Sequence, residues 1–332
     1  MAVEVFKAFR VFQEDHKIHG RLVEIGLDDL CKGDVVARVA YSGVNYKDAL
    51  AATGAGKIMQ RFPLLGGIDW AGTVVSSQDT RFKVGEEVLV TGFGLGESHD
   101  GGFAEYARVP ADWVLRVPEG LSVRETMIIG TAGFTAALSV VEMERNGLNP
   151  SSGPVVVTGA TGGVGSLAVQ CLAARGYRVT ALTRKDDAHE FLRSLGAAEV
   201  LSMSAVEMGT RPLEKSLWAG AVDPVGGETL AWLTRTMRRD GCIASSGLTG
   251  GMEVHMTVMP FILRGVKLLG IESSKCPMKL RRHVWQRLST DMKPENLEAT
   301  AREIGLEELH VAFAALLQGS ARGRYIVKVR DS

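Results

Sequence analysis

The first 120 residues place apolar and polar side chains in short alternating runs. "VVARVAYSGV" (35–44), "AGTVVSS" (71–77), "VGEEVLVTG" (84–92) and "GGFAEYARVP" (101–110) each have this period-two character, with glycine turns between them, and predict strands. From Gly153 the pattern changes. Apolar bursts such as "PVVVTG", "YRVTALTR" and "CIASSGL" now alternate with helical patterns such as "SLAVQCLAARG", "DDAHEFLRSLG" and "GETLAWLTRTMRRDG". That alternation predicts a parallel sheet covered by helices on both faces. From about Pro277 the tail reads as two helical patterns and a final strand, "GRYIVKV". No fixed-period repeat and no low-complexity tract interrupts the chain.

The stretch "VVVTGATGGVGSLAVQCLAARG" (155–176) sets Gly159-x-x-Gly162-x-x-Gly165 between a predicted strand and a predicted helix. In a dinucleotide-binding βαβ unit the first glycine makes the tight turn and the second lets backbone approach a pyrophosphate. The third packs the helix closely on the strand, and the helix N-terminus receives the phosphate. A glycine-rich turn without a ligand is the alternative; the following strand at the right distance favours the nucleotide. At the end of that second strand, where an Asp or Glu would hold both ribose hydroxyls, the chain has Thr183, Arg184 and Lys185. A hydroxyl and two cations suit a 2′-phosphate, so NADP(H) is expected over NAD(H). Asp186 and Asp187 read as the cap of the next helix.

With 332 residues, the chain has room for two domains, and 45% hydrophobic with 23% charged residues is a globular composition. Lys plus Arg equals Asp plus Glu at 38 each, which leaves no global field for nucleic acid or anionic lipid. The N-terminal residues lack a signal-peptide pattern, and no apolar run approaches the ~20 residues of a membrane span. A cytoplasmic location is expected. Cys31, Cys171, Cys242 and Cys276 form no CxxC pair and read as reduced thiols.

Several stretches carry a family resemblance: "SGVNYKDAL" (42–50), "FPLLGGIDWAGTV" (62–74), "VLVTGFGLGESHDGGFAEYARV" (88–109), "MIIGTAGFTAAL" (127–138) and "VMPFILRGVKLLGIES" (258–273). Together they resemble the zinc-free quinone-oxidoreductase branch of the medium-chain dehydrogenase/reductase superfamily, and more narrowly its acryloyl-CoA reductase subfamily. The likeness spans essentially the whole chain. It implies an α/β protein: a GroES-like, partly open β-barrel catalytic domain (1–124 and 274–332) and a Rossmann doubly wound parallel-sheet domain (125–273) that binds NADPH. It further implies a site in the cleft separating them, and a homodimer formed through the last strands of the nucleotide sheets, here Val266–Ser273. The motifs that carry a zinc cysteine and histidine in the alcohol dehydrogenases have Asn45 and Ile68 here, neither able to replace thiolate or imidazole. No metal is expected.

Without a Lewis acid, reduction of an activated C=C becomes the favoured chemistry, because the substrate's own carbonyl spreads the charge and hydrogen-bond donors hold it. The resemblance makes Tyr46 and Asn45 the catalytic candidates. Tyr46 would lie against the cofactor as hydrogen-bond or proton donor, and Asn45 would bond the substrate carbonyl. Lys47 is an alternative proton source; Asp69 reads as a structural carboxylate, and His99 as a loop histidine. Carry-over places Thr161, Gly162, Gly163 and Val164 on the pyrophosphate and Thr183, Arg184 and Lys185 on the 2′-phosphate, with Leu248, Ile262 and Ser273 along the cofactor channel. Met203 stands where relatives can have an arginine near that phosphate. A CoA thioester would need a basic rim, with Arg264, Arg281, Arg282, Arg287, Arg322 and Arg324 as candidates. The leading expectation is NADPH-dependent reduction of acryloyl-CoA to propionyl-CoA. An NADPH:quinone or enone reductase is the runner-up, and a non-catalytic NADPH-binding redox sensor is the reading from another class.

Overall fold

Alternation in the first hundred residues produces strands wherever one face can be buried. The computed structural model describes residues 5–329. Strands β1 (Phe6–Glu14) and β2 (Lys17–Ile25) form a hairpin whose two turn residues, Asp15 and His16, both have positive φ (48° and 62°). This is the primed-turn geometry, made here without the usual glycine. Next come β3 (Val35–Val44), α1 (Tyr46–Thr53), β4 (Leu64–Leu65), β5 (Asp69–Ser77), β6 (Glu87–Thr91), β7 (Tyr106–Val109), β8 (Leu115–Arg116) and α2 (Val123–Arg145).

The second half begins with β9 (Val155–Val157), α3 (Gly163–Ala174), β10 (Val179–Thr183), α4 (His189–Ser194) and β11 (Glu199–Ser202). It continues through β12 (Trp218–Asp223), α5 (Gly227–Thr236), β13 (Met237–Ser245), α6 (Met259–Arg264) and β14 (Lys267–Gly270). The tail holds α7 (Met278–Leu288), α8 (Leu297–Thr300), β15 (Ala301–Ile304), α9 (Leu309–Leu317) and β16 (Arg324–Lys328).

The chain divides into two compact units. The first comprises Met1–Thr131, Ser274–Arg282 and Thr300–Ser332. Its larger sheet runs β15-β16-β3-β5-β6-β8, with β7 also on β3, and a three-stranded sheet runs β2-β1-β4. A bridge between Ala8 and Ala104, and the bond from Phe9 N to Phe103 O (2.7 Å), tie the two sheets into a partly open barrel. Antiparallel pairing of β16 with β3, Tyr325 opposite Val44, sets the end of the chain beside the strand that leads into α1. Trp70, Val88, Val90 and Leu95 fill one part of the core, and Phe9, Phe103 and Phe313 another.

The second unit, Ala132–Ser273 and His283–Ala299, is built on six parallel strands in the order β11-β10-β9-β12-β13-β14. Val155, Val156 and Val157 are all fully buried, as expected for a central strand covered on both faces. The order reverses at β9, so the crevice beyond β9 and β12 is the topological switch point where doubly wound sheets take their ligands.

Three expectations need correction. Segment 283–299 does not join the first domain: Trp285 stacks on Phe134 (ring centroids 6.2 Å), and Asn296 N donates to Gln170 Oε1 at 2.9 Å. Helical spacing revealed an apolar stripe there but not which core would bury it. The last strand of the parallel sheet spans only Lys267–Gly270, shorter than the expected 266–273. And α2 is long and apolar enough to cross a bilayer, although no such run was expected. Of its apolar window 89% is buried in protein, and Gly130 (φ 48°, ψ −156°) breaks the helical run.

Candidate active site and nucleotide-binding turn

Strand β3 ends at Val44 and α1 begins at Tyr46, so Asn45 is the N-cap, with extended backbone (φ −117°, ψ 157°). Asp48, three residues on, accepts from Asn45 N at 2.8 Å through Oδ2 and from Ile68 N at 2.9 Å through Oδ1. The N-cap and N3 positions are thus locked together, as in a capping box. The Asn45 side chain is fixed at both ends. Its Nδ2 donates to Asp69 Oδ2 at 3.0 Å, and its Oδ1 accepts from Arg324 Nη1 at 2.9 Å. The Asn45 side chain also meets the Asp48 carboxylate, a contact that favours the charged form of Asp48 against the effect of burial.

Around this amide lies a buried ionic network. Asp69, fully buried, also accepts from Gly43 N (2.8 Å) and Thr131 N (2.7 Å). Arg324, 3% exposed, gives Nη1 to Val44 O and Nε to Ile128 O. Burial, and then the charge of nearby Asp69, push the Asp48 carboxyl up to about 7. The expected structural role for Asp69 fits these contacts. Arg324, expected on a basic rim, is instead a buried anchor of Asn45. The sequence signals that could have found this network are the Asn-x-x-Asp cap spacing at 45–48 and a charge opening an otherwise apolar strand at 324.

Tyr46, half-buried, makes no side-chain hydrogen bond to any of the described residues, which leaves its hydroxyl available. Lys47 is paired with Glu97 at 2.6 Å. The ring nitrogens of His99 face the carbonyl oxygens of Asp100 and Lys32, each at 3.2 Å, and the ring meets Trp113 edge-on. Among the described residues no group of three His, Cys, Asp or Glu side chains is placed to hold a metal ion.

In the second unit, β9 runs through Thr158–Gly162 into α3. Gly159 turns the chain at φ 53°, a conformation open to glycine. At Gly165 a Cβ would lie 2.3 Å from Gly159 O, so the helix can approach the turn only without a side chain. Gly162 is the N-cap, and Gly163 and Val164 open the first turn, whose N–H groups have no partners inside the helix. Thr161 sits in the turn itself. On the adjacent strand, Thr183 Oγ1 accepts from Lys185 N at 3.0 Å, and Arg184 is exposed. The structure therefore gathers Thr161–Val164 and Thr183–Lys185 at neighbouring strand ends, and a dinucleotide fits this cradle. Met203 packs against the apolar core instead.

Leu248 (51% exposed) lies beyond β13 in a loop whose Gly250 N bonds Val225 O, while Ile262 (68% exposed) is on α6. Ser273 Oγ accepts from Thr135 Oγ1 at 2.8 Å. Val225, held by the Leu248 loop through Gly250, lies against Gly159 of the glycine turn. The pair at the switch point that sequence reasoning missed is Thr158 and Asp223: Thr158 Oγ1 donates to Asp223 Oδ1 at 2.5 Å, joining the ends of β9 and β12. Burial pushes the Asp223 carboxyl up.

Four of the six arginines expected on a basic rim are engaged elsewhere. Arg281 is fully buried, holding Thr91 O and Ser274 O; Arg264 is spent on the carbonyls of Arg235, Met237 and Glu214. Arg287 is paired with Glu144 and Asp291. Only Arg282 and Arg322 of that set are exposed.

Fold and site define a nucleotide-dependent dehydrogenase. Residues 31–119 match the family model for the alcohol dehydrogenase GroES-like domain, and 163–290 that for zinc-binding dehydrogenase. The chain is 51% identical to "Putative quinone oxidoreductase YhfP" of Bacillus subtilis over 98% of this chain and 99% of that one. It is 47% identical to "Probable acrylyl-CoA reductase AcuI" of Escherichia coli, covering 97% and 99%. The yhdH oxidoreductase of Salmonella enterica, solved in complex with NADP, superposes with a TM-score of 0.95 at 47% identity, covering 98% and 100%. The chain belongs to the zinc-free branch of the medium-chain dehydrogenase/reductase superfamily, among the acrylyl-CoA reductases and their quinone-oxidoreductase relatives.

Proposed function

We propose that this protein is an NADPH-dependent reductase that converts acryloyl-CoA to propionyl-CoA. The observation that carries the proposal is the likeness to acrylyl-CoA reductases over nearly the whole chain, joined to Asn45, a neutral amide fixed between Asp69 and Arg324. Thr161, Gly162, Gly163 and Val164 would hold the pyrophosphate on the α3 N-terminus, where unpartnered N–H groups and the helix dipole favour anions. Thr183, Arg184 and Lys185 would hold the 2′-phosphate, and Leu248, Ile262 and Ser273 would flank the rest of the cofactor. Bound NADPH supplies the hydride for the substrate β-carbon, and one solvent-derived proton completes the α-carbon, so acryloyl-CoA, NADPH and H⁺ give propionyl-CoA and NADP⁺. Asn45 would turn an amide N–H to the thioester oxygen as charge builds there, with Asp69 and Arg324 setting the orientation of the amide. Tyr46, with its free hydroxyl, orients the reacting ends or passes the proton.

Quinone or enone reduction is the second reading, favoured by the name of the B. subtilis relative. A silent NADPH-binding protein is disfavoured by the full-length likeness to acrylyl-CoA reductases and by the Tyr46 hydroxyl, which bonds none of the described residues. NADPH consumption with acryloyl-CoA, crotonyl-CoA and a 1,4-quinone decides among them. The proposal expects acryloyl-CoA to have the highest kcat/KM; a quinone exceeding it, or no turnover at all, would overturn it.

We also propose a homodimer. Strand β14 is the edge of the parallel sheet, and Met252, Val258 and Leu263, in the segment that leads into it, are 81%, 65% and 46% exposed. An open strand edge beside apolar side chains suits pairing with a second copy. Reduced cysteines at 171 and 242, both buried, suit a cytoplasmic setting.

A further inference from the structure

A cavity of about 410 Å³ opens in the first unit, lined among others by Arg10, Lys32, Arg61, Cys31, His99 and Asp100. Its charge is unbalanced toward cations. Arg10 Nε is buried and finds no hydrogen-bond partner among the described residues. Arg61 gives Nε to Ser98 O at 3.2 Å and Nη2 to the Cys31 sulfur, a weak acceptor for a guanidinium. Lys32 lines the same wall and enters no ion pair among the described residues. The two carboxylates present are already engaged. Asp100 accepts from Cys31 N (2.8 Å) and Leu65 N (3.1 Å), and Asp29 accepts from Gly26 N (2.8 Å). Burial raises the Cys31 thiol, so it stays neutral and does not offset Arg61. Three cations against two carboxylates leave one positive charge in excess, and the buried unpartnered N–H of Arg10 beside the Arg61 and Lys32 head groups offers donors to an anion.

We propose that this cavity binds the phosphate groups of the coenzyme A tail. The inference rests on the acryloyl-CoA reading above. The cavity is joined to the proposed reaction centre through one loop. Gln60 N donates to Glu97 O at 2.8 Å, Arg61 holds Ser98 O, and Glu97 reaches Lys47, the neighbour of Tyr46. A thioester held at Asn45 and Tyr46 and a nucleotide tail held at Arg10, Lys32 and Arg61 would thus grip opposite ends of one ligand. This also supplies the basic rim that the buried or paired arginines at 264, 281, 287 and 324 do not provide. Binding energy from such a remote group anchors the substrate without touching the reacting atoms, so its loss falls on KM.

The test compares wild type with Arg10→Gln/Arg61→Gln, both saturated with NADPH so that the nucleotide turn is filled. Calorimetry with 3′,5′-adenosine bisphosphate, the phosphorylated end of coenzyme A, should show at least about tenfold weaker binding in the variant and a smaller salt dependence. KM for acryloyl-CoA should rise by a similar factor. The kcat, the KM for NADPH and the KM for acryloyl-pantetheine, which lacks the nucleotide phosphates, should not move. Equal affinity of the two proteins for the bisphosphate would overturn the proposal, as would inorganic phosphate binding as tightly as the bisphosphate, since the cavity would then belong to free phosphate. Wild type that binds the bisphosphate through these arginines yet does not reduce acryloyl-CoA would sink the reductase reading, and the assignment to a CoA tail with it. Wild type that reduces acryloyl-CoA while the variant shows an unchanged KM would sink the cavity proposal alone.

Discussion

Asn45 shows how much a single position can hold. Its backbone caps α1 while its side chain bridges Asp69 and Arg324, so the amide has one orientation. Asn45→Ala should lower kcat by about 10²-fold, the usual cost of removing one donor to a developing oxyanion, and leave the KM for NADPH unchanged in steady-state assays. Beside it, Asp48 titrates at about 7 because it is buried and faces Asp69. A carboxyl whose folded value lies above its ordinary one takes up a proton on folding. The stability it contributes is therefore present at low pH and is lost as pH rises through about 7. Thermal melts of wild type and Asp48→Asn from pH 5 to pH 8 should diverge in slope: the wild-type Tm falls across that window by an increment the variant lacks. At the nucleotide end, Arg184→Ala/Lys185→Ala should raise the KM for NADPH by at least about tenfold and leave that for NADH nearly unchanged. The proposed 2′-phosphate contact at Thr183–Lys185 is read from the sequence alone, from the missing acidic residue where ribose would be held. The Asn45 clamp was not, because Arg324 lies 279 positions away and only the β16–β3 pairing brings it back.

The turn from β9 into α3 was the most readable element, because its glycines answer to local geometry. A Cβ at position 165 meets Gly159 O at 2.3 Å, so Gly165→Ala should cost about 1–3 kcal/mol in chemical denaturation and weaken NADPH binding by displacing the first helical turn. Elements whose placement depends on distant partners were harder to read. The α7 sequence "MKLRRHVWQRL" showed an apolar stripe, but nothing local says that Arg281 turns inward to Thr91 and Ser274 in one unit while Trp285 stacks on Phe134 in the other. The β1–β2 turn carries Asp15-His16 rather than a glycine pair, so its positive φ angles had no signal in composition. Buried arginines look like surface arginines in a sequence; only the carbonyls they meet distinguish them.

At the scale of the whole molecule, strand–helix alternation after Gly153 predicted the parallel sheet, and the structure orders it β11-β10-β9-β12-β13-β14 with the glycine turn at the reversal. Oligomeric state rests on the free edge at β14. Val258→Glu/Leu263→Glu should convert a dimer to a monomer by light scattering, since two charges would be buried against the second copy; an unchanged mass would locate the interface elsewhere. The central claim is that a carbon–carbon double bond is what this protein reduces, and isotope placement tests it most directly. Turnover of acryloyl-CoA with NADPH deuterated at nicotinamide C4 in ordinary water, followed by NMR of the product, should give propionyl-CoA with one deuterium on the β-carbon. The complementary run in heavy water should place the solvent label on the α-carbon. Acryloyl-CoA recovered unlabelled while the same preparation consumes NADPH with a quinone, or deuterium found at the carbonyl carbon, would contradict the account.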